Sequence, residues 1–226
     1  MEANTTPPPT TPPSAALLIP WEDPAQTGFF DRFVETVKLL ATAPAEAFAR
    51  MPTAGGIGRP LTFAIIVGWI GIAVYALWML LFGGMSVPFM DQSQLGEAGA
   101  MFGISAGVAI MLMVLAPIFV IIGVFFQAAI LHLMLMLVGG ANQGFEATTR
   151  VCSYAQAAQL AQIVPICGGL LSAVWSVILL IVGLSTAHGI PRGKAALAVI
   201  LPVVLCCAFM VAMMFMGALA GVATSQ

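Results

Sequence analysis

Long apolar runs fill this chain from residue 60 onward, at about 61–83, 105–138, 147–166, 169–188 and 195–220, and no Asp, Glu, Lys or Arg lies in the interior of any of them. A run of ~20 such residues, wound as a helix rising ~1.5 Å per residue, covers the ~30 Å hydrocarbon core of a bilayer. A water-soluble fold could not hide that much apolar surface. The 226 residues are 61% hydrophobic and only 7% charged, whereas soluble domains are about 25% charged. The runs therefore predict an all-α, polytopic membrane helical bundle with five transmembrane helices over residues 60–222.

The 105–138 run needs a separate argument. As one helix it extends about 50 Å, longer than the core is thick. Two crossings plus a turn would need more residues. One long tilted helix, bent at Pro117, fits best.

Charge then sets count and orientation. The basic residues are Arg32, Lys38, Arg50, Arg59, Arg150, Arg192 and Lys194. With the N-terminus inside and five crossings, all of them fall in the N-terminal segment, the 139–150 loop or the 189–194 turn. The outer loop at 84–104 carries only the acids Asp91 and Glu97. That is the positive-inside pattern. Splitting 105–138 would put Arg150 outside, and making 147–166 a non-crossing segment would put Arg192 and Lys194 outside. The prediction is N-in/C-out. The net charge of −2 excludes the basic stripe of a nucleic-acid binder.

Ahead of the runs, residues 1–25 are rich in Pro and Thr and predict a disordered tail. They show neither the basic start nor the apolar core of a cleavable signal peptide, so insertion is expected to use the first span. Residues 26–59 predict cytoplasmic amphipathic helices. Phe29, Phe30, Phe33, Val37 and Leu40 recur at helical spacing, with Asp31, Arg32, Glu35 and Lys38 on the other side. Pro44 interrupts this helix and opens a shorter one carrying Phe48 and Met51. Such helices either lie in the membrane interface or dock on the protein's own cytoplasmic face. The sequence leaves both open.

Signals for chemistry are sparse. Gly103-Ile104-Ser105-Ala106-Gly107 has the letters of a nucleophile elbow, but that motif needs a strand–turn–helix and a nearby histidine. His132 lies about 40 Å along the same helix. The pairs Gly103/Gly107 and Gly217/Gly221 read better as small-residue faces for helix packing or a homo-oligomer. Cys152, Cys167, Cys206 and Cys207 form no CxxC pair, so no metal site is predicted. No HExxH is present either. The expectation is a protein that is no enzyme, with no catalytic residues and no cofactor.

What remains is a candidate polar seam: Gln127, His132, Tyr154, Gln156, Gln159, Gln162 and His188. The glutamines recur every three residues, which winds them slowly around one side of an α-helix. Such a face is too polar for lipid. It serves either interhelical hydrogen bonds or a solute path or partner surface.

The order of short motifs resembles the Yip-domain family, the Rab-interacting multi-pass membrane proteins, in its bacterial form. The residues that carry the likeness begin with Ile19-Pro20-Trp21-Glu22, Phe29-Phe30 and Thr36, then Pro44, Phe48, Met51-Pro52, Gly55-Gly56 and Pro60-Leu61. They continue with His132, Gly139-Gly140, Thr149, Tyr154-Ala155, Pro165, Gly168, Trp175, Gly183-Leu184, His188 and Ala195. The likeness covers 19–220. It implies a five-span domain with a cytoplasmic N-terminus and no catalytic residues. Eukaryotic members bind Rab-type GTPases in vesicle traffic, a role that does not carry over to a bacterial chain without a prenylated Rab partner. The expected function is a non-enzymatic scaffold or adaptor in the bacterial cytoplasmic (inner) membrane, held in the lipid bilayer and meeting an unknown protein partner. The alternative is a small-solute transporter or channel lined by the Gln/His seam.

Overall fold

The computed structural model describes residues 18–25, 28–83 and 92–224. A 3-10 turn, Pro20–Glu22, comes first. The helices that follow are α1 (Phe29–Thr42), α2 (Pro44–Arg50), α3 (Gly58–Gly83), α4 (Gln92–Leu137), α5 (Phe145–Ala155), α6 (Gly168–His188) and α7 (Arg192–Thr224). A second 3-10 segment, Gln156–Ile163, continues α5. All regular structure among the described residues is helical.

Four of these helices are long and apolar enough to cross a membrane: Gly58–Trp78, Met113–Leu137, Gly168–His188 and Arg192–Met216. Residues 105–138 belong to one helix, but that helix already begins at Gln92, so the loop expected to reach 104 ends by residue 91. Residues 84–91 of that loop lie outside the described residues. Pro117 sits inside α4 without ending it.

The 147–166 run is not one continuous α-helix. It changes to 3-10 geometry at Gln156 and ends at Val164, the residue that Pro165 holds extended. In a 3-10 helix the turn is three residues, so side chains three apart eclipse. Gln156, Gln159 and Gln162 therefore line up on one face rather than winding around it.

Depth along α3 shows where this segment runs. The Tyr154 and Phe63 rings lie 5.3 Å apart. Higher up, a Cβ on Gly71 would meet Gln159 Cβ at 3.0 Å. Near the top, the Trp78 indole N–H donates to the Gln162 carbonyl at 2.9 Å. From Phe63 to Trp78 α3 climbs about 22 Å, and the α5–3-10 segment climbs beside it. α6 descends on the other side: Ser172 bonds Gln159 at 3.3 Å, and His188 reaches Thr148 at 3.0 Å. Gly168 makes the close pass possible, since a Cβ there would sit 2.8 Å from the Ala161 carbonyl oxygen and from Gln162 Cα.

The turn between them stores strain. Ile166 has φ 69°, and Cys167 N–H donates back to the Pro165 carbonyl at 2.8 Å. A β-branched side chain is badly suited to that left-handed region, and here it is 98% exposed, so packing offers no compensation. Ile166→Gly should raise stability by about 1–2 kcal/mol. Thermal unfolding in detergent checks this; an unchanged midpoint would mean that the turn holds no strain in the folded protein.

The N-terminal segment differs from its expectation. Residues 1–17 lie outside the described residues, but Ile19, Pro20, Trp21 and Glu22 are ordered and buried rather than part of a disordered tail. Ile19 and Trp21 belong to the buried apolar core. α1 and α2 dock on the protein: Thr36, Leu40, Ala47, Phe48 and Met51 are all buried. α7 packs through Ala195, Ala198 and Val199, while 203–216 are exposed along their whole length.

Candidate functional site

Arg150 is the largest fully buried side chain among the described residues. It stands on the second turn of α5, where the helix is walled by α3 and α6. Bringing a guanidinium out of water is costly, and only good geometry with a full set of partners repays it. Those partners are present. One terminal nitrogen donates to both Glu22 carboxylate oxygens at 3.0 Å and to the Pro52 carbonyl at 3.2 Å. The other terminal nitrogen donates to the Gly56 carbonyl. Nε donates to Glu146 Oε1 at 3.2 Å, one turn back on α5.

Glu22 comes from the other end of the chain, and its carboxylate is completed by the Tyr154 hydroxyl, which donates to Oε1 at 2.7 Å. The Glu22 carbonyl accepts from Arg59 at 2.6 Å. Trp21 fixes the segment from both sides: its backbone N–H donates to Thr36 Oγ1 at 2.8 Å, and its indole N–H to the Arg59 carbonyl at 2.7 Å. The 52–56 loop wraps the arginine because Gly55 and Gly56 take φ 115° and 95°, open only to residues without a Cβ. The Gly56 N–H returns to Glu146 at 2.7 Å. No buried side-chain polar atom among the described residues lacks a partner.

A second polar group sits beside this one. Gln143 N–H donates to His188 Nδ1 at 3.1 Å, so Nδ1 carries no proton and Nε2 does. His188 Nε2–H then donates to Thr148 Oγ1 at 3.0 Å, and Thr148 Oγ1 is hydrogen-bonded to His132 Nδ1 at 2.9 Å. The two rings lie 6.1 Å apart. This chain ties α4, α5 and α6 together at one end of the bundle.

The seam expected from sequence thus divides. His132 and His188 meet through Thr148. Tyr154 leaves them and joins Glu22 and Arg150. Gln156, Gln159 and Gln162 line a separate cavity of about 310 Å³ with Gly68, Tyr75 and Val120. Gln162 donates to Gln159. Gln127 is half-buried on α4 and joins neither group. The Gly103–Gly107 stretch lies within α4 and Gly217–Gly221 within α7; their side-chain packing is outside the described residues. Among the described residues no His, Cys, Asp or Glu cluster has metal-binding geometry.

With this geometry in place, comparison settles the lineage. Residues 37–214 match the Yip1 domain. The chain belongs to the Yip1 domain family. No curated protein and no solved structure matches it. The match to the Yip1 domain takes in Arg150, Tyr154 and both histidines but starts after Glu22. In this member, then, the lock is closed by a residue ahead of the matched stretch. Sequence reasoning missed it because Arg150 was read only as a topology marker and Glu22 as part of a tail. One signal was available: Ile19 and Trp21 stand just ahead of the acid at the end of a segment rich in Pro, Thr and Ala.

Proposed function

We propose that this integral membrane protein is a non-enzymatic scaffold or adaptor of the bacterial cytoplasmic membrane. Its chain crosses five times, N-in/C-out, and presents an N-terminal unit (the 3-10 turn, α1 and α2) to cytoplasmic partners. The observation that carries this reading is the Glu22–Arg150 pair, which keys that unit rigidly into the membrane domain. A platform held in fixed register is what an adaptor needs. Support for the fifth crossing comes from the climb of α5 and its 3-10 extension along α3, level with Phe63 at the bottom and Trp78 at the top. A reporter fused at Gln226 should read non-cytoplasmic; a cytoplasmic signal would overturn the topology.

The functional test is crosslinking in native membranes followed by mass spectrometry. Wild type is compared with a chain lacking residues 1–17 and with Glu35→Lys/Lys38→Glu, which reverses exposed charges on α1. A partner retained by wild type and lost from either variant supports the adaptor. An identical set of neighbours for all three overturns it.

The glutamine-lined cavity favours a second reading, passage of a small uncharged solute. Gln159→Leu would then abolish flux in liposomes while leaving crosslinked partners in place.

A further inference from the structure

We infer that the Phe29–Phe30–Val34 surface of α1 is a lipid-docking face, set among the acyl chains at the cytoplasmic edge of the bilayer, and that it takes uncharged lipid rather than an anionic headgroup. This deepens the adaptor reading and rests on its N-in orientation.

Burial comes first. α1 already satisfies the protein with one face, where Thr36 and Leu40 are buried. Phe29, Phe30 and Val34 remain 54%, 75% and 51% exposed. Phe29 gives one edge to Trp21, but Phe30 and Val34 lie outside the apolar core, and exposed apolar side chains grouped this way mark an interaction surface.

Depth comes second. The Phe33 ring lies 5.6 Å from Phe63, and Trp21 lies 5.8 Å from the same ring. Phe63 lies two residues into the apolar run that begins at 61, about 3 Å of helical rise past its start. Helices that lie in the interface bury their apolar face ~5–10 Å. α1 also touches the 3-10 segment Gln156–Ile163, which runs deeper still. The N-terminal half of α1 is therefore level with the first turns of the apolar run of α3 and packs beside the bundle.

The chemistry of that level agrees. Trp21 packs edge-on against Phe29 at 5.3 Å and Phe33 at 6.3 Å. Together with Phe63 they form an aromatic girdle drawn from three elements, with the indole N–H held by the Arg59 carbonyl. Membrane proteins place aromatic belts at this boundary. The polar side of α1 carries Asp31 and Glu35 against Arg32 and Lys38. These charges cancel, so nothing draws the helix to anionic lipid; apolar area alone seats it.

The test uses the full chain in phosphatidylcholine vesicles. Exposed Cys167, Cys206 and Cys207 are replaced by Ala, and buried Cys152 is left in place. Single nitroxide labels are put at Phe30→Cys, Val34→Cys, Asp31→Cys and Glu35→Cys, all exposed positions that leave the fold intact. Accessibility to oxygen and to a water-soluble nickel chelate is then measured. Expected are labels at 30 and 34 that favour oxygen over nickel, ~5–10 Å below the phosphates, labels at 31 and 35 that favour nickel, and no change when phosphatidylglycerol replaces half the lipid. Nickel access at 30 and 34 would overturn the inference in favour of a soluble partner. Shielding from both reagents would overturn it in favour of a second copy of the chain. A depth that follows phosphatidylglycerol content would overturn the neutral-lipid assignment. The Gln226 reporter reads orientation separately, so an inverted topology and a failed insertion give different results.

Discussion

Arg150→Met should cost about 3–5 kcal/mol of folding stability, because it leaves the Glu22 carboxylate buried with the Tyr154 hydroxyl as its remaining side-chain partner. The penalty belongs to the abandoned charge more than to the lost attraction. Glu22→Gln combined with Arg150→Met should therefore recover most of it, since a neutral amide oxygen still accepts from Tyr154 and no charge is stranded. Cys152 offers the readout. It is buried two residues along α5, so its alkylation rate reports opening of the lock once the three exposed cysteines are removed. Fast labelling in Arg150→Met and slow labelling in the double variant is the expected pattern. A single variant as protected as wild type would mean that the pair contributes nothing in the bilayer.

Phe48→Ala is the second large effect. Phe48 is fully buried between α2 and α6, and removing a phenylalanine from such a site costs about 3–5 kcal/mol through lost transfer energy and the cavity left behind. Gly183 is the other half of this joint. A Cβ there would come within 2.6 Å of Val151 Cγ1 and 2.9 Å of two Phe48 ring atoms. Gly183→Ala should thus loosen the same joint by overpacking, at about 1–3 kcal/mol. Limited proteolysis around Pro52 distinguishes the outcomes: both variants should be cut faster than wild type while the spans stay protected. Equal cutting would show that α2 is held by α1 and the Pro20–Glu22 turn alone.

Much of the architecture was legible because membranes leave few choices. Charge-free runs of span length have to be helices, and they read directly as α3, α6, α7 and the core of α4. The heptad-like spacing of Phe29, Phe33 and Leu40 likewise reads as α1. Three features were not legible, each for a physical reason. The early start of α4 at Gln92 is hidden because residues 92–104 carry Gly96, Gly99 and Gly103 and the charged Glu97, which read as loop rather than as span. The 3-10 geometry after Ala155 depends on how closely Gly71 and Gly168 let neighbouring helices approach, and that is tertiary information. Glu22 and Arg150 are 128 residues apart, so no local pattern links them. Of the polar seam, residue types were readable but grouping was not, because grouping depends on depth and on which helix faces which.

The separation of that pair also has a meaning in time. A ribosome adding ~5–20 residues per second needs roughly 6–26 s to travel from Glu22 to Arg150. Throughout that interval the Glu22 carboxylate lacks the Arg150 guanidinium and the Tyr154 hydroxyl that complete it. Closure of the lock is therefore a late event of biogenesis, possible only after α3 and α4 have entered the membrane and α5 has followed them. The first stretch of chain to be made is among the last to be fixed, so its docking marks that the bundle behind it has been assembled.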